Sequence, residues 1–428
     1  MKRRNFLRDV ALTSVLLACN KRNILPEGTT VQSSATNELM ISTDYLHFNS
    51  YGQSLSIGGT NRTPTTVSST FQKYDSVMPN LGVRSLDYGL KTPTKFVPLV
   101  EKVSRNTVMG ETLCSGSCEM FCQAMGEKTF QLQATASGQG SSTVLELSKG
   151  TKGYQRLIKD IQAAKNIAGK QGKTFSVGAI GWTQGEKDYN ENTTYDDYKL
   201  RLEQLNADIN NDIAQITLQN TQIPLIIGQI SSQNRAIDSM IDPNIALAQL
   251  DLCINHPNFT LATPMYMLEY FLDNTHMTSI NYRILASYYG YAMKKLLIDE
   301  VKNFISPKEH YLEENTLTIK FNVPVMPLVF DTERVVDPGN FGFSIKDSGG
   351  SAISINGIEI IEGDTVRIIC ASIPYTVSYA INGKNKKAGR LEGPRGCLRD
   401  SQGDSIVFDP GGTNWKLHNW TPIFKLTI

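Results

Sequence analysis

Between residues 38 and 300 short apolar runs alternate with amphipathic helical stretches, and that alternation leaves few folds open. Strands that are apolar on both faces need cover on both. Helices placed between consecutive strands supply that cover and return the chain for a parallel neighbour. Residues 45–49, 129–134, 175–182, 224–228 and 259–262 read as five such strands. Tyr154, Leu157, Ile158, Ile161 and Ala164 share one helical face, with Gly169 where a C-terminal cap belongs. A longer stripe runs through Tyr198, Leu202, Leu205, Ile209, Ile213 and Ile216, and Thr194 is placed to cap it. A last helix is expected over about 279–301. The pattern predicts an α/β fold, an open parallel sheet in a three-layer α/β/α arrangement. After about residue 304 the period changes to short alternating strands, 365–370 and 376–381 among them, separated by Gly, Asp and Asn. That predicts a second, β-sandwich-like domain.

The N-terminus carries an address. Lys2, Arg3, Arg4 and Arg8 form a basic segment, and residues 10–18 form an apolar stretch too short to span a bilayer, as in an export signal. The stretch ends in Leu16-Leu17-Ala18-Cys19, similar to a lipobox, which makes Cys19 the expected site of lipidation and of membrane attachment. Cleavage nearby to give a soluble secreted protein is the alternative. Either way the chain is expected to be exported, as a cell-envelope lipoprotein or a secreted protein. Residues 20–37 are polar, as in a tether.

Lys and Arg number 42 against 41 Asp and Glu, so no basic excess invites nucleic acid. Cys114, Cys118 and Cys122 recur every fourth residue on one helical face. Zinc and iron–sulfur motifs usually include closer pairs, and no histidine lies near, so burial of small apolar thiols is the expected role. No metal or organic cofactor is expected.

Three blocks carry chemistry. Tyr51-Gly52-Gln53-Ser54 follows the first strand, at the sheet end where ligands gather. Asp273-Asn274-Thr275-His276 leads into the last helix. At this spacing a carboxylate can fix the imidazole tautomer and leave the other nitrogen to deprotonate a serine. Trp182-Thr183-Gln184-Gly185-Glu186-Lys187-Asp188 follows the third strand, and the Gln184 amide could donate to a developing oxyanion. Taken singly, each block is an ordinary loop.

Together, in this order, the blocks resemble the SGNH-hydrolase superfamily, in its sialate O-acetylesterase-like branch of carbohydrate acetylesterases. Gly52-Gln53-Ser54 matches its G-Q-S block, residues 182–188 its W-x-Q-G-E-x-D block, and Asp273 with His276 its D-x-x-H block. The resemblance implies a flavodoxin-like hydrolase domain over 38–304, after the export segment 1–37 and before a β-rich accessory domain 305–428. It implies a Ser54–His276–Asp273 triad and an oxyanion hole from the Ser54 amide, a glycine amide and Gln184. Glu186 is implied to brace the site from behind. In the run Ser137-Gly138-Gln139-Gly140-Ser141-Ser142 the glycine is Gly138 or Gly140, with Gly140 preferred. Leu55 departs from the branch, where Asn usually follows the serine. Residues 396–401 and His418-Asn419-Trp420 are similar to a tail domain found after some of these proteins.

The implied activity is a serine esterase that removes acetyl groups from an acetylated carbohydrate. The alternatives are an SGNH lipase or thioesterase, or a glycan-binding protein without turnover. Gln139, Ser141, Ser142, Thr183 and Gln233 would line a polar site, and no exposed apolar run is expected beside the blocks to hold a long acyl chain.

Overall fold

The computed structural model describes residues 43–60, 63–66, 74–105, 109–232 and 242–428. Cys19, the export segment and Gln233 lie outside the described residues.

A seven-stranded sheet fills the first part of the chain. Its strands are β1 (Tyr45–Gly52), β2 (Val77–Pro79), β3 (Phe96–Pro98), β4 (Gln131–Ala136), β5 (Phe175–Thr183), β6 (Leu225–Gln229) and β7 (Phe259–Pro264), in the order β3-β2-β4-β1-β5-β6-β7. Every pairing is parallel except β2 with β3. Five helices cover it. The α1 (Cys114–Met125) and α6 (Ser279–Leu297) helices pack together on one face, and α2 (Lys152–Lys170), α4 (Tyr195–Thr217) and α5 (Asn244–Asn255) on the other. A one-turn helix, α3 (Glu186–Asn190), follows β5. The expected α/β/α layers are present, and β2 and β3 extend the five expected strands at one edge. Both are three residues long and end in proline, which has no N–H to donate and so stops the pairing there; β3 is the edge strand.

Local capping follows the sequence with one exception. Thr194 accepts a hydrogen bond from the Asp197 amide, as expected of a cap. The α2 helix runs one residue past Gly169, and the left-handed turn falls instead on Gly172, at φ 68°. The last helix stops at Leu297 rather than near 301. Cys114, Cys118 and Cys122 are free thiols buried on α1.

The sheet grows in opposite directions from β1, towards β4 and β2 on one side and β5, β6 and β7 on the other. Such a switch point opens a crevice at the C-terminal ends of the strands, and β1 ends there, two residues before Ser54. All of β1 is buried, polar residues included. Those residues find some of their partners sideways: Asn49 donates to the hydroxyls of Thr135 (2.7 Å) and Ser137 (2.8 Å), and His47 Nε2 lies 2.8 Å from Thr135 Oγ1. Burial lowers the His47 pKa to about 3, so its ring is neutral.

Residues 306–427 form further antiparallel sheets, among them one whose strands, in order across the sheet, are Ile355–Ile361, Thr365–Cys370, Thr316–Asn322 and Ser306–Glu313. This part is tied closely to the first. The Gln229 side chain exchanges two hydrogen bonds with the Ile423 backbone (3.0 and 2.8 Å), and Arg283 Nε donates to the Pro410 carbonyl (3.0 Å). The motif around Asp400 is a buried packing hub. Its carboxylate accepts from the amides of Gln402 and Asn419, from the Asn419 side chain and from the Val325 amide, at 2.8–3.2 Å.

Candidate active site

Ser54 opens a single 3-10 turn, Ser54–Ile57, so its own N–H has no acceptor within the turn. Gly52 makes the approach feasible. Its φ is 138°, and a β-carbon there would lie 2.2 Å from the Thr183 carbonyl oxygen. The Gln53 amide donates to that same oxygen at 3.0 Å, and the Gln139 amide donates to the Gly52 carbonyl at 2.9 Å. The first block is thereby fastened to the loops after β5 and β4.

The His276 loop is closed by its own hydrogen bonds. The Phe271 amide donates to the His276 carbonyl (2.8 Å), and the Asn274 amide to the Phe271 carbonyl (2.9 Å). Asp273 Oδ1 accepts from the amides of Thr275 and His276, each at 3.0 Å. Its Oδ2 lies 2.7 Å from His276 Nδ1, and His276 Nε2 lies 2.7 Å from Ser54 Oγ. Partial burial alone would raise the Asp273 pKa. The hydrogen bonds from His276 and Thr275 outweigh it and hold the carboxyl below its ordinary range. An ionised Asp273 places the ring proton on Nδ1, leaving Nε2 to accept the serine proton. The Asp273 side chain is 36% exposed, so water screens the pair.

A hypothetical β-carbon on Gly140 would lie 3.8 Å from Ser54 Cβ, whereas one on Gly138 would meet Ser56 Oγ at 2.1 Å and the Gly52 carbonyl oxygen at 2.5 Å. The geometry therefore favours Gly140 of the two.

Gln184 departs from its expected place. It is fully buried, and its amide nitrogen donates to the Ser142 carbonyl (3.0 Å) and to Asp188 Oδ2. Both amide hydrogens are spent, and Tyr198 Oη donates to Oε1 at 3.2 Å. The side chain is a brace between two loops rather than a donor open to substrate. Asp188 at the other end accepts as well from the Val144 amide (2.8 Å) and Thr193 Oγ1 (3.0 Å). Burial raises its pKa, and the hydrogen bonds from Gln184, Val144 and Thr193 oppose this. Glu186 is buried and accepts from Ser232 Oγ at 3.3 Å.

Of the expected lining residues, Ser142 and Thr183 are fully buried, and Thr183 Oγ1 lies 2.6 Å from Tyr289 Oη. No exposed apolar run was expected beside the blocks, and the structure shows one adjacent pair there: beside Asp273, Phe271 is 37% and Leu272 93% exposed. The pair stands directly before Asp273 in the sequence, but strand and helix periodicity says nothing about the exposure of loop residues.

The C-terminal part reaches this loop, which sequence reasoning missed. The Ala388 amide donates to Asn274 Oδ1 (3.2 Å), Arg390 pairs with Glu269 (2.6 Å), and the Arg390 amide donates to the Leu268 carbonyl (3.2 Å).

The family model described as "Carbohydrate esterase, sialic acid-specific acetylesterase" matches residues 71–295, a span containing Gln184, Glu186, Asp273 and His276 and beginning after Ser54. The chain belongs to this family and is a carboxylic ester hydrolase with an SGNH-type fold. Among solved structures it is similar to a carbohydrate acetylesterase from Xanthomonas citri, with 12% identity, a TM-score of 0.56, and coverage of 90% of this chain and 80% of that one. A protein from Arabidopsis thaliana matches with 16% identity and a TM-score of 0.40, over 59% of this chain and 98% of that one. NanS matches with 12% identity and a TM-score of 0.44, over 60% and 99%. No curated protein sequence matches the chain.

Proposed function

We propose that the protein removes O-acetyl groups from carbohydrate hydroxyls through an acyl-serine intermediate on Ser54. The observation that carries this reading is the continuous relay from Ser54 Oγ through His276 to Asp273, with both links at 2.7 Å. His276 Nε2 takes the hydroxyl proton as Oγ attacks the acetyl carbonyl carbon. The Ser54 and Gly140 amides receive the oxyanion of the tetrahedral intermediate. Collapse breaks the ester C–O bond, and the imidazolium returns its proton to the departing sugar oxygen. Water then enters, gives a proton to His276 and attacks the acyl-serine, releasing acetate and restoring Ser54. Gln184 contributes by holding the Ser142 loop in place. Membership of a carbohydrate esterase family supports the substrate class.

Ser54→Ala tests the reading. Activity on an acetylated sugar should fall by about a thousandfold or more, with the fold retained. Retention of most activity would move the nucleophile elsewhere.

Exposed Phe271 and Leu272 favour a second reading, an esterase for longer acyl chains. A continuous apolar trough repays desolvation at about 0.8 kcal/mol per methylene, and two adjacent residues make a short one. A nitrophenyl ester series separates the two: acetyl preference supports the first, and a steady rise in kcat/KM towards octanoyl supports the second.

A further inference from the structure

The C-terminal part holds a half-buried arginine, Arg334, that forms no ion pair among the described residues. A cavity of about 590 Å³ opens between the short strands Val329–Phe330 and Leu398–Arg399 and the segment carrying Trp415 and His418. In it the Arg334 guanidinium lies over the Trp415 ring, 3.6 Å from the ring centre. The indole beneath is fixed, its Nε1 donating to Tyr288 Oη at 3.2 Å. One face of Trp415 is therefore taken, and the ring serves as backing for the arginine rather than as an open sugar platform.

Neighbouring acids are already engaged. Asp331 pairs with Arg399 at 2.8 Å, and Glu269 with Arg390 at 2.6 Å. Arg334 Nε is buried without a hydrogen-bond partner, and among the described residues its guanidinium forms no ion pair. Burial, with Arg390 nearby, pushes the Arg334 pKa down to about 10, so the group stays charged at neutral pH. Burial and Arg399 push His418 down to about 4, leaving it neutral there. Of the wall cations, Arg399 pairs with Asp331 and Lys416 with Asp404 at 3.5 Å, which leaves Arg334 as the one without an ion pair among the described residues. A partly dry charge without a paired partner is costly, and an anion that binds it recovers part of that cost.

The shape narrows the anion. A guanidinium carries a planar N–H fork that can grip a carboxylate through two parallel hydrogen bonds. Pockets of about 300–1,000 Å³ suit small organic ligands, and this one is much larger than an inorganic ion needs. Thr332 and Asn414 offer hydroxyl and amide partners, and Phe330 an apolar face. We propose that this cavity binds a carboxylate-bearing sugar, with Arg334 gripping the carboxylate, at a site separate from Ser54. Arg390 connects the two regions, donating to the Arg334 carbonyl (3.2 Å) while paired with Glu269 ahead of the catalytic loop.

The test is calorimetric titration of the full chain with glucuronic, galacturonic and N-acetylneuraminic acids, none carrying an O-acetyl group, and with their methyl esters. At least one acid should bind with a Kd near or below about 1 mM, and its ester at least about tenfold more weakly. Arg334→Gln should weaken the acid at least about tenfold while hydrolysis of nitrophenyl acetate is unchanged. Thr332→Trp, a substitution at an exposed wall position that threatens no core packing, should weaken it similarly by filling the mouth. Binding that survives both substitutions, equal binding of acid and ester, or no binding of any acid at roughly 10 mM would overturn the proposal. So would acetate binding as tightly as the sugar acids. None of these outcomes depends on Ser54 being the nucleophile, so the two readings fail separately.

Discussion

Gly59 lies so close to His276 that a β-carbon on it would stand 2.9 Å from Nε2, and 2.8 Å from Ser54 Cβ. The two residues meet across the serine–histidine hydrogen bond, so any side chain at 59 must displace one of its partners. Gly59→Ala is expected to lower kcat by roughly ten- to a hundredfold, because misplacement of reacting groups by a fraction of an ångström to 1 Å has costs of that order. Thermal stability should change little by comparison. Kinetics and melting curves on the same preparation check this; unchanged kcat would mean that the site does not use this contact.

Gln184→Ala should act on stability first. It strips the Ser142 carbonyl and Asp188 of a shared donor in a fully buried place. The expected loss is about 2–4 kcal/mol in urea unfolding, with activity falling as the loop loosens. Full stability with a kcat loss of about a hundredfold or more would instead return Gln184 to the role of oxyanion donor.

The pH dependence of stability should carry a signature from Asp160. This buried carboxyl accepts from Ser137 Oγ at 2.5 Å. Burial raises its pKa from 3.8 to about 7, against the opposing pull of Ser137 and Arg156. Between those values the folded state keeps a proton that the unfolded chain has lost, so stability is greatest below the lower one and declines as pH rises towards the higher. Asp160→Asn removes this term. Its melting temperature relative to the unsubstituted protein should climb from pH 4 to pH 7, and a difference constant with pH would contradict the assignment.

Cys19 rests on the sequence alone. Cys19→Ser should abolish lipid labelling and release the protein from the membrane fraction if the lipobox is used. A wild-type protein already soluble, beginning at another residue, would be the opposite outcome.

The five central strands and the three blocks were legible because each depends on neighbours in sequence: apolar runs, a cap at Thr194, a carboxylate three residues before His276. What was not legible depends on partners far along the chain. The strands β2 and β3 are too short to show a period. Gln184 looks like an open loop donor until Ser142 and Asp188 come to meet it. The clamp of Arg390 on Glu269, across 121 residues, had no local trace. Arg334 is an ordinary arginine in sequence, and only the fold sets Asp331 to Arg399 and leaves it unpaired.

The central claim is that Ser54 carries the acyl group. Brief reaction with nitrophenyl acetate, acid quench and peptide mass spectrometry reads this directly. One acetyl group is expected on the peptide containing Ser54, at that residue, with a burst of nitrophenol that His276→Ala suppresses. An acetyl group on another residue, or turnover with neither burst nor labelled peptide, would contradict it.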